Sequence, residues 1–226
     1  KLFEPDYGLN LNRLEIPVNP YDTFKCDVPN LSTSLYFVVN DQFYSKSLPK
    51  AKLNDGVIVD SLNHVATERP ELVAKYYGRL ANTEADAITA LNTMLAQDGL
   101  FIYVPKNVQL ERTIQVINIL RSDVDLMVNR RVLIVLEEGA KAQFLFCDHA
   151  ADDRNFLATQ VIEAYVGSNA NLELNCLEET HAKNVRVSNV YIEQQRDSRA
   201  SHNVITLHNG VTRNMLDLVF KGEGSE

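Results

Sequence analysis

The chain has 226 residues, 45% hydrophobic and 23% charged, a composition ordinary for a soluble globular protein long enough to build a sizeable core. Its net charge of −8 leaves no basic surplus to release counterions, which argues against a general nucleic-acid or anionic-membrane binder, and its apolar runs are too short to span a bilayer. Cys26, Cys147 and Cys176 are odd in number and form no CxxC pair, which fits the reducing cytoplasm better than a disulfide framework.

Residues 1–54 are loop-rich, because Pro5, Pro17, Pro20, Pro29 and Pro49 interrupt any long element. Within them, residues 35–39 and 42–44 read as a short hairpin turned by Asn40-Asp41. Asp55-Gly56 makes a turn into Val57-Ile58-Val59, a brief buried strand. Two helices follow. Pro70 suits a first helical position, and the segment from Glu71 ends at Gly78. The second opens at Thr83-x-x-Asp86, which resembles a capping box, carries Ile88, Leu91 and Leu95 on one face, and is closed by Gly99. Ser61 and His64 are three apart; a solvated helix start accounts for them better than catalysis does.

From Leu100 the pattern is strands only. They are predicted at 100–105, 113–120, 124–128, 131–136, 140–147, 157–166, 170–177, 185–194, 200–208 and 215–220. Ala140, Ala170 and Ala200 each follow a small or polar turn at a spacing of thirty, which suits two successive coils of a solenoid and favours a parallel β-helix over a sandwich. Alternation puts Phe144, Phe146, Leu172, Leu174, Cys176, His202, Val204, Thr206 and His208 inside, with Phe146, Cys176 and Thr206 in one ladder and Cys147 facing outward. The last strand runs into a turn with nothing behind it, and Lys1 is not a natural start. The chain is therefore expected to be a piece of a longer protein, with the solenoid cut before its end.

Candidate chemistry is sparse. Cys176, His202 and His208 are candidate soft or borderline metal donors, although His202 and His208 are too far apart on one strand to share an ion. The competing reading, a packed core cysteine, is preferred for Cys176. His149 and His181 read as solvated loop residues. Glu137-Glu138, Asp152-Asp153 and Glu178-Glu179 raise the alternative of a pectinase-like β-helix carbohydrate-active enzyme, but adjacent acids in a turn diverge and tryptophan is absent. A further alternative is a metal-free homodimeric interaction scaffold.

Several segments resemble one family. They are Asn19-Pro20-Tyr21-Asp22-Thr23-Phe24-Lys25-Cys26-Asp27-Val28-Pro29, then Gly56-Val57-Ile58-Val59-x-Ser61-Leu62, and Ala90-Leu91-Asn92 followed by Gln97-Asp98-Gly99-x-Phe101-Ile102-Tyr103-Val104-Pro105-Lys106. Leu110 to Gln115 and the stretch from Thr212-Arg213-Asn214 to Glu226 continue the match. Together they are similar to the SufB/SufD family of iron–sulfur cluster assembly scaffolds, most of all to SufD. The resemblance implies a mainly β protein: a right-handed parallel β-helix over residues 100–226, preceded by a small α/β region over residues 1–99. It also implies a non-enzymatic cytoplasmic scaffold that binds no cofactor within this stretch. Such a scaffold would handle a transient iron–sulfur cluster together with a SufB-like paralogue and a SufC-like ATPase. The family's interface cysteine and histidine and its ATPase-gripping helices lie beyond Glu226, and Asn209, Gly210, Arg213 and Asn214 read as turn and coil residues.

Overall fold

A computed structural model describes residues 33–46, 53–54 and 56–226; Cys26, Asp55 and the proline-broken segment 1–32 lie outside these residues. The hairpin forms as expected, with β1 (Ser34–Val39) antiparallel to β2 (Gln42–Phe43) across a turn in which Asn40 adopts φ 56°. The strand after Gly56 is β3 (Ile58–Ser61), half-buried and antiparallel to β4 (Leu100–Val104).

Three helices, not two, follow β3. The start at Ser61 is a helix of its own, α1 (Leu62–Glu68), and the Ser61 hydroxyl accepts the His64 amide at 3.0 Å as its cap. Next is α2 (Pro70–Tyr76), which opens on Pro70. In α3 (Ala87–Leu95) the capping residue is Asp86, whose carboxylate accepts the Thr89 amide at 2.7 Å; Thr83 lies too far upstream. The helix ends at Leu95, so Gly99 does not close it. A Cβ at Gly99 would sit 2.1 Å from the Arg131 carbonyl oxygen, so the glycine is required by close backbone approach.

Eight long strands then wind as four coils of two strands each: β5 (Ile114–Leu120) with β6 (Leu126–Leu136), β7 (Lys141–Ala150) with β8 (Phe156–Val166), β9 (Asn171–Glu179) with β10 (Asn184–Gln194), and β11 (Arg199–His208) with β12 (Val211–Phe220). Strands β11-β9-β7-β5-β1 stack in parallel as one sheet with β2 antiparallel at its edge, and β12-β10-β8-β6-β4 as the other with β3 antiparallel at its edge. The molecule is mainly β, a parallel β-helix, as the repeat implied. Thirty residues make one coil, not two, because each strand is about ten residues long. Ile114 pairs with Phe144 and Phe146 with Cys176 at that spacing, but Cys176 pairs with Val204 because the next coil is two residues shorter. An even shift preserves the parity, so the inward set is as expected through Val204, while Thr206 moves beside Glu178 and a register irregularity after it leaves His208 exposed.

One corner repeats at every coil. Asn107, Gly139, Asn169, Asp197 and Gly224 all have φ between 54° and 73°. The amides of Asn107, Gly139, Asn169 and Asp197 each donate to a carbonyl of the next coil at 2.8 to 2.9 Å. This left-handed step turns the chain without leaving a buried N–H unpaired.

The core lies between the two sheets, where Ile102, Ile134, Phe144, Ile162, Leu172 and Leu174 are fully buried. At roughly 1.5–3 kcal/mol per buried large apolar side chain, this ladder dominates the drive to fold. The outer face of the even-strand sheet is covered by the helices, with Leu62, Val65, Val73 and Tyr76 packed on Phe101, Leu133 and Val135.

Candidate functional site

The inward alternation that buries isoleucine and phenylalanine also carries polar residues into the coil. On the odd strands, Asn118, Asp148, Glu178 and Thr206 are successive Cα partners. Opposite them on the even strands stand Arg130, Gln160, Ser188 and Asn214, again in register. A polar seam thus runs through all four coils at one level of an otherwise apolar interior.

Asp148 is its hub. Its Oδ1 takes Arg130 Nη1 at 3.0 Å and Asn118 Nδ2 at 2.8 Å, and its Oδ2 takes Arg186 Nε at 2.7 Å. Arg186 Nη1 also lies 2.6 Å from Glu178 Oε1 and 2.8 Å from Asn214 Oδ1, while Thr206 donates to Glu178 Oε2 at 2.7 Å. Burial alone would raise the Asp148 pKa, but Arg186, then Arg130, then the Asn118 bond outweigh it and hold the carboxyl below its ordinary value. All four charged side chains are at most 5% exposed.

Cys176 and His202 meet at the edge of this network, with Sγ 3.8 Å from Nε2. Burial pushes the Cys176 thiol up to about 12, and Arg186 offsets only part of that. Burial, and then Arg186, lowers the pKa of His202. At neutral pH the pair is therefore a thiol beside a neutral imidazole, not a thiolate–imidazolium couple, and the thiol is a poor nucleophile. His208 does not join them. It is exposed on β11, where a register irregularity after Thr206 sets it opposite Glu179. Two donors beside a guanidinium fall short of the ligands an iron–sulfur cluster takes, and no group of three or more metal-binding side chains occurs among the described residues. An assembled cluster, as cargo, does not fit at Cys176 and His202 alone.

Other sequence candidates separate. His149 lies in strand β7, half-buried, and is not a loop residue; His181 sits in the turn before β10, with Nε2 2.9 Å from the Asp152 carbonyl. Cys147 does face away from the coil, yet it is fully buried. Asn209 and Gly210 occupy the last turn, whereas Arg213 and Asn214 are strand residues of β12. The paired acids do not converge: Glu137 meets the Tyr76 hydroxyl, Glu138 pairs with Lys106, Asp152 caps the Ser122 amide and Asp153 pairs with Lys183. Nothing among them arranges two carboxylates across a sugar-binding groove.

The start of the matched stretch Gln97–Pro105, at Gln97-Asp98-Gly99, is an architectural knot. Asp98 Oδ1 takes the Ser61 hydroxyl at 2.7 Å and the Asn63 amide at 3.1 Å, and Oδ2 takes the Phe43 amide at 3.1 Å. One carboxylate thus joins the hairpin, the start of α1 and the entrance to β4. The charged hub escapes sequence reading because Asn129-Arg130 reads as a break between two short strands; β6 runs through it unbroken. Asp148 could have been found, since it continues the inward parity of Phe144 and Phe146.

Among the described residues no helix is long and apolar enough to cross a membrane. Residues 1–116 match the family model described as the SufBD protein N-terminal region, and residues 118–226 match the SUF system FeS cluster assembly, SufBD core domain. An Arabidopsis thaliana protein named iron-sulfur cluster assembly SufBD family protein ABCI8, chloroplastic, is 32% identical over 143 residues, 62% of this chain and 24% of its own length. A SufBD family protein of Synechocystis is 32% identical over 135 residues, covering 59% of this chain and 28% of that protein. The iron-sulfur cluster assembly protein SufD of Bacillus subtilis is 31% identical over 120 residues, 53% and 27% respectively. The matched stretch is thus about a quarter of the length of each of these relatives.

Proposed function

The chain belongs to the SufBD family of iron–sulfur cluster assembly proteins, and from that premise we propose that it is a SufD-like scaffold subunit of a SUF-type assembly complex. The observation that carries this reading is the unbroken match of both family regions to a chain whose core is a parallel β-helix. The likeness to a protein named SufD favours the SufD side of the family. In this reading the subunit works with a SufB-like paralogue and a SufC-like ATPase, and the iron–sulfur cluster is transient cargo, held with a partner. Its role is structural support and iron acquisition, not bond-breaking. The low reactivity of the Cys176–His202 pair supports a non-catalytic part for this stretch. A division of the chain at residue 99/100 into an α/β region and a β-helix core belongs to the same reading, as does action in the cytoplasm, although one relative is named chloroplastic.

The test is co-purification of the full-length protein with tagged SufB-type and SufC-type subunits from the same organism. A stable ternary complex that accumulates cluster on reconstitution is expected. A protein that binds neither subunit, alone or together, would remove the reading.

A further inference from the structure

Within the polar seam Glu178 Oε1 rests on its ion pair with Arg186 at 2.6 Å, and two further buried atoms, on neighbouring residues, have no hydrogen-bond partner. Arg130 uses Nε on the Asn40 carbonyl at 2.9 Å and Nη1 on Asp148, leaving Nη2 buried with no partner. Gln160 uses Nε2 on the Ser188 hydroxyl at 3.3 Å, leaving Oε1 buried with no partner. These residues are direct Cα partners on β6 and β8, their side chains both enter the coil, and each is 3% exposed. An unpaired donor and an unpaired acceptor thus sit on paired residues of adjacent coils, away from solvent.

Leaving both unsatisfied would forfeit the hydration each group has in the unfolded chain, most costly for the charged one. We propose that a buried water occupies the seam between Arg130 and Gln160, accepting from Nη2 and donating to Oε1. The chemistry selects that guest. An anion would meet the amide oxygen and the Asp148 carboxylate; a cation would meet two guanidinium groups. Rotating the Gln160 amide by half a turn would give its oxygen to Ser188 and leave two N–H groups, both of which a water oxygen can accept. With the water in place, the Gln160–Ser188 pair joins the Arg130–Asp148–Arg186 network, so that buried polar groups find partners as is usual in folded proteins.

A high-resolution crystal structure of the protein, grown in bromide, tests this. The expected result is a full-occupancy oxygen peak about 3 Å from both Arg130 Nη2 and Gln160 Oε1, without anomalous signal, and its loss in Gln160→Met. A direct Arg130–Gln160 hydrogen bond, an empty gap, or a bromide peak at that position would each overturn the proposal. So would a peak that persists unchanged in the Met variant.

Discussion

Arg130 and Arg131 are neighbours on one strand, point to opposite faces of it, and are both buried, yet they fasten different things. Arg130 faces inward and shares Asp148 with Arg186, so one carboxylate ties together β6, β7 and β10 from three successive coils. Arg131 faces outward and meets Glu163 at 2.6 Å, with both side chains inaccessible to solvent. Glu163 also accepts the amides of Gly78, Leu80 and Ala81 at 2.9 to 3.1 Å, and Arg131 donates to Thr93 and lies over the Tyr77 ring at 4.6 Å. The inner pair joins coil to coil, while the outer pair joins the helical layer to the coils. A buried charge is tolerated on either face because each carboxylate is surrounded by donors.

The largest effect should come from breaking the inner side. Asp148→Asn leaves two guanidinium groups facing each other in the core and is expected to cost about 3–5 kcal/mol, read as a lowered urea midpoint. Amide exchange should accelerate together across β6, β7 and β10, since all three coils lose a shared fastening. The pH dependence carries the same sign: the folded pKa of Asp148 is depressed, so its contribution is present above the ordinary carboxylate pKa and is lost as pH falls through the lower folded value. Asp148→Asn should flatten that acid limb.

Glu163→Gln strands one buried guanidinium instead of two, so it should cost about 3 kcal/mol, the low end of that range, and do it locally. Exchange should rise at residues 78–81 and in α3 while the coil interior stays protected. Equal spread of exchange in both variants would erase the distinction between coil fastening and layer fastening.

How much of this was legible follows from where each partner sits. Strands β7, β8 and β9 announce themselves by alternation, as in Ala142, Phe144 and Phe146, because the pleat writes burial into the sequence at a period of two. The break that the sequence suggests at residues 129–130 is absent from β6 for the opposite reason. Three polar residues in a row satisfy a turn pattern, and the acids that neutralise them lie 18 and 32 residues away, where no local window reaches. The coil length is not legible because a thirty-residue repeat fixes the sum of two strands and two turns, not their number. Cys176 was placed inward correctly; its contact with His202 depends on a two-residue shortening that no repeat could show.

Gly99→Ala is a milder perturbation that touches the outer face alone. Its new methyl would meet the Arg131 carbonyl, and overpacking of this kind costs about 1–3 kcal/mol. Because Gly99 O also accepts the Leu62 amide at 2.9 Å, the shift should loosen α1 and the Asp98 knot. Melting temperature should fall while the chemical shifts of Asp148 and Arg186 stay put. Movement of those inner resonances would mean that the two faces of β6 are coupled.

The smallest effect expected is at His202, on the rim of the inner network. Burial and Arg186 depress its folded pKa below 6.5, so the unfolded chain takes up a proton first as pH falls. Folding stability should therefore decline from about pH 6.5 downward and level off below the folded pKa, the reverse of a histidine that gains an acidic partner. His202→Gln removes that proton uptake and should flatten the limb without moving stability at pH 8. Since Cys176 lies 3.8 Å away with its thiol pushed up to about 12, it should react with a disulfide reagent no faster at pH 8 than unfolding permits, in either protein. Fast labelling of Cys176 in the native protein would show a thiolate where burial and charge place a thiol. It would make this rim, not the Asp148 hub, the reactive part of the coil.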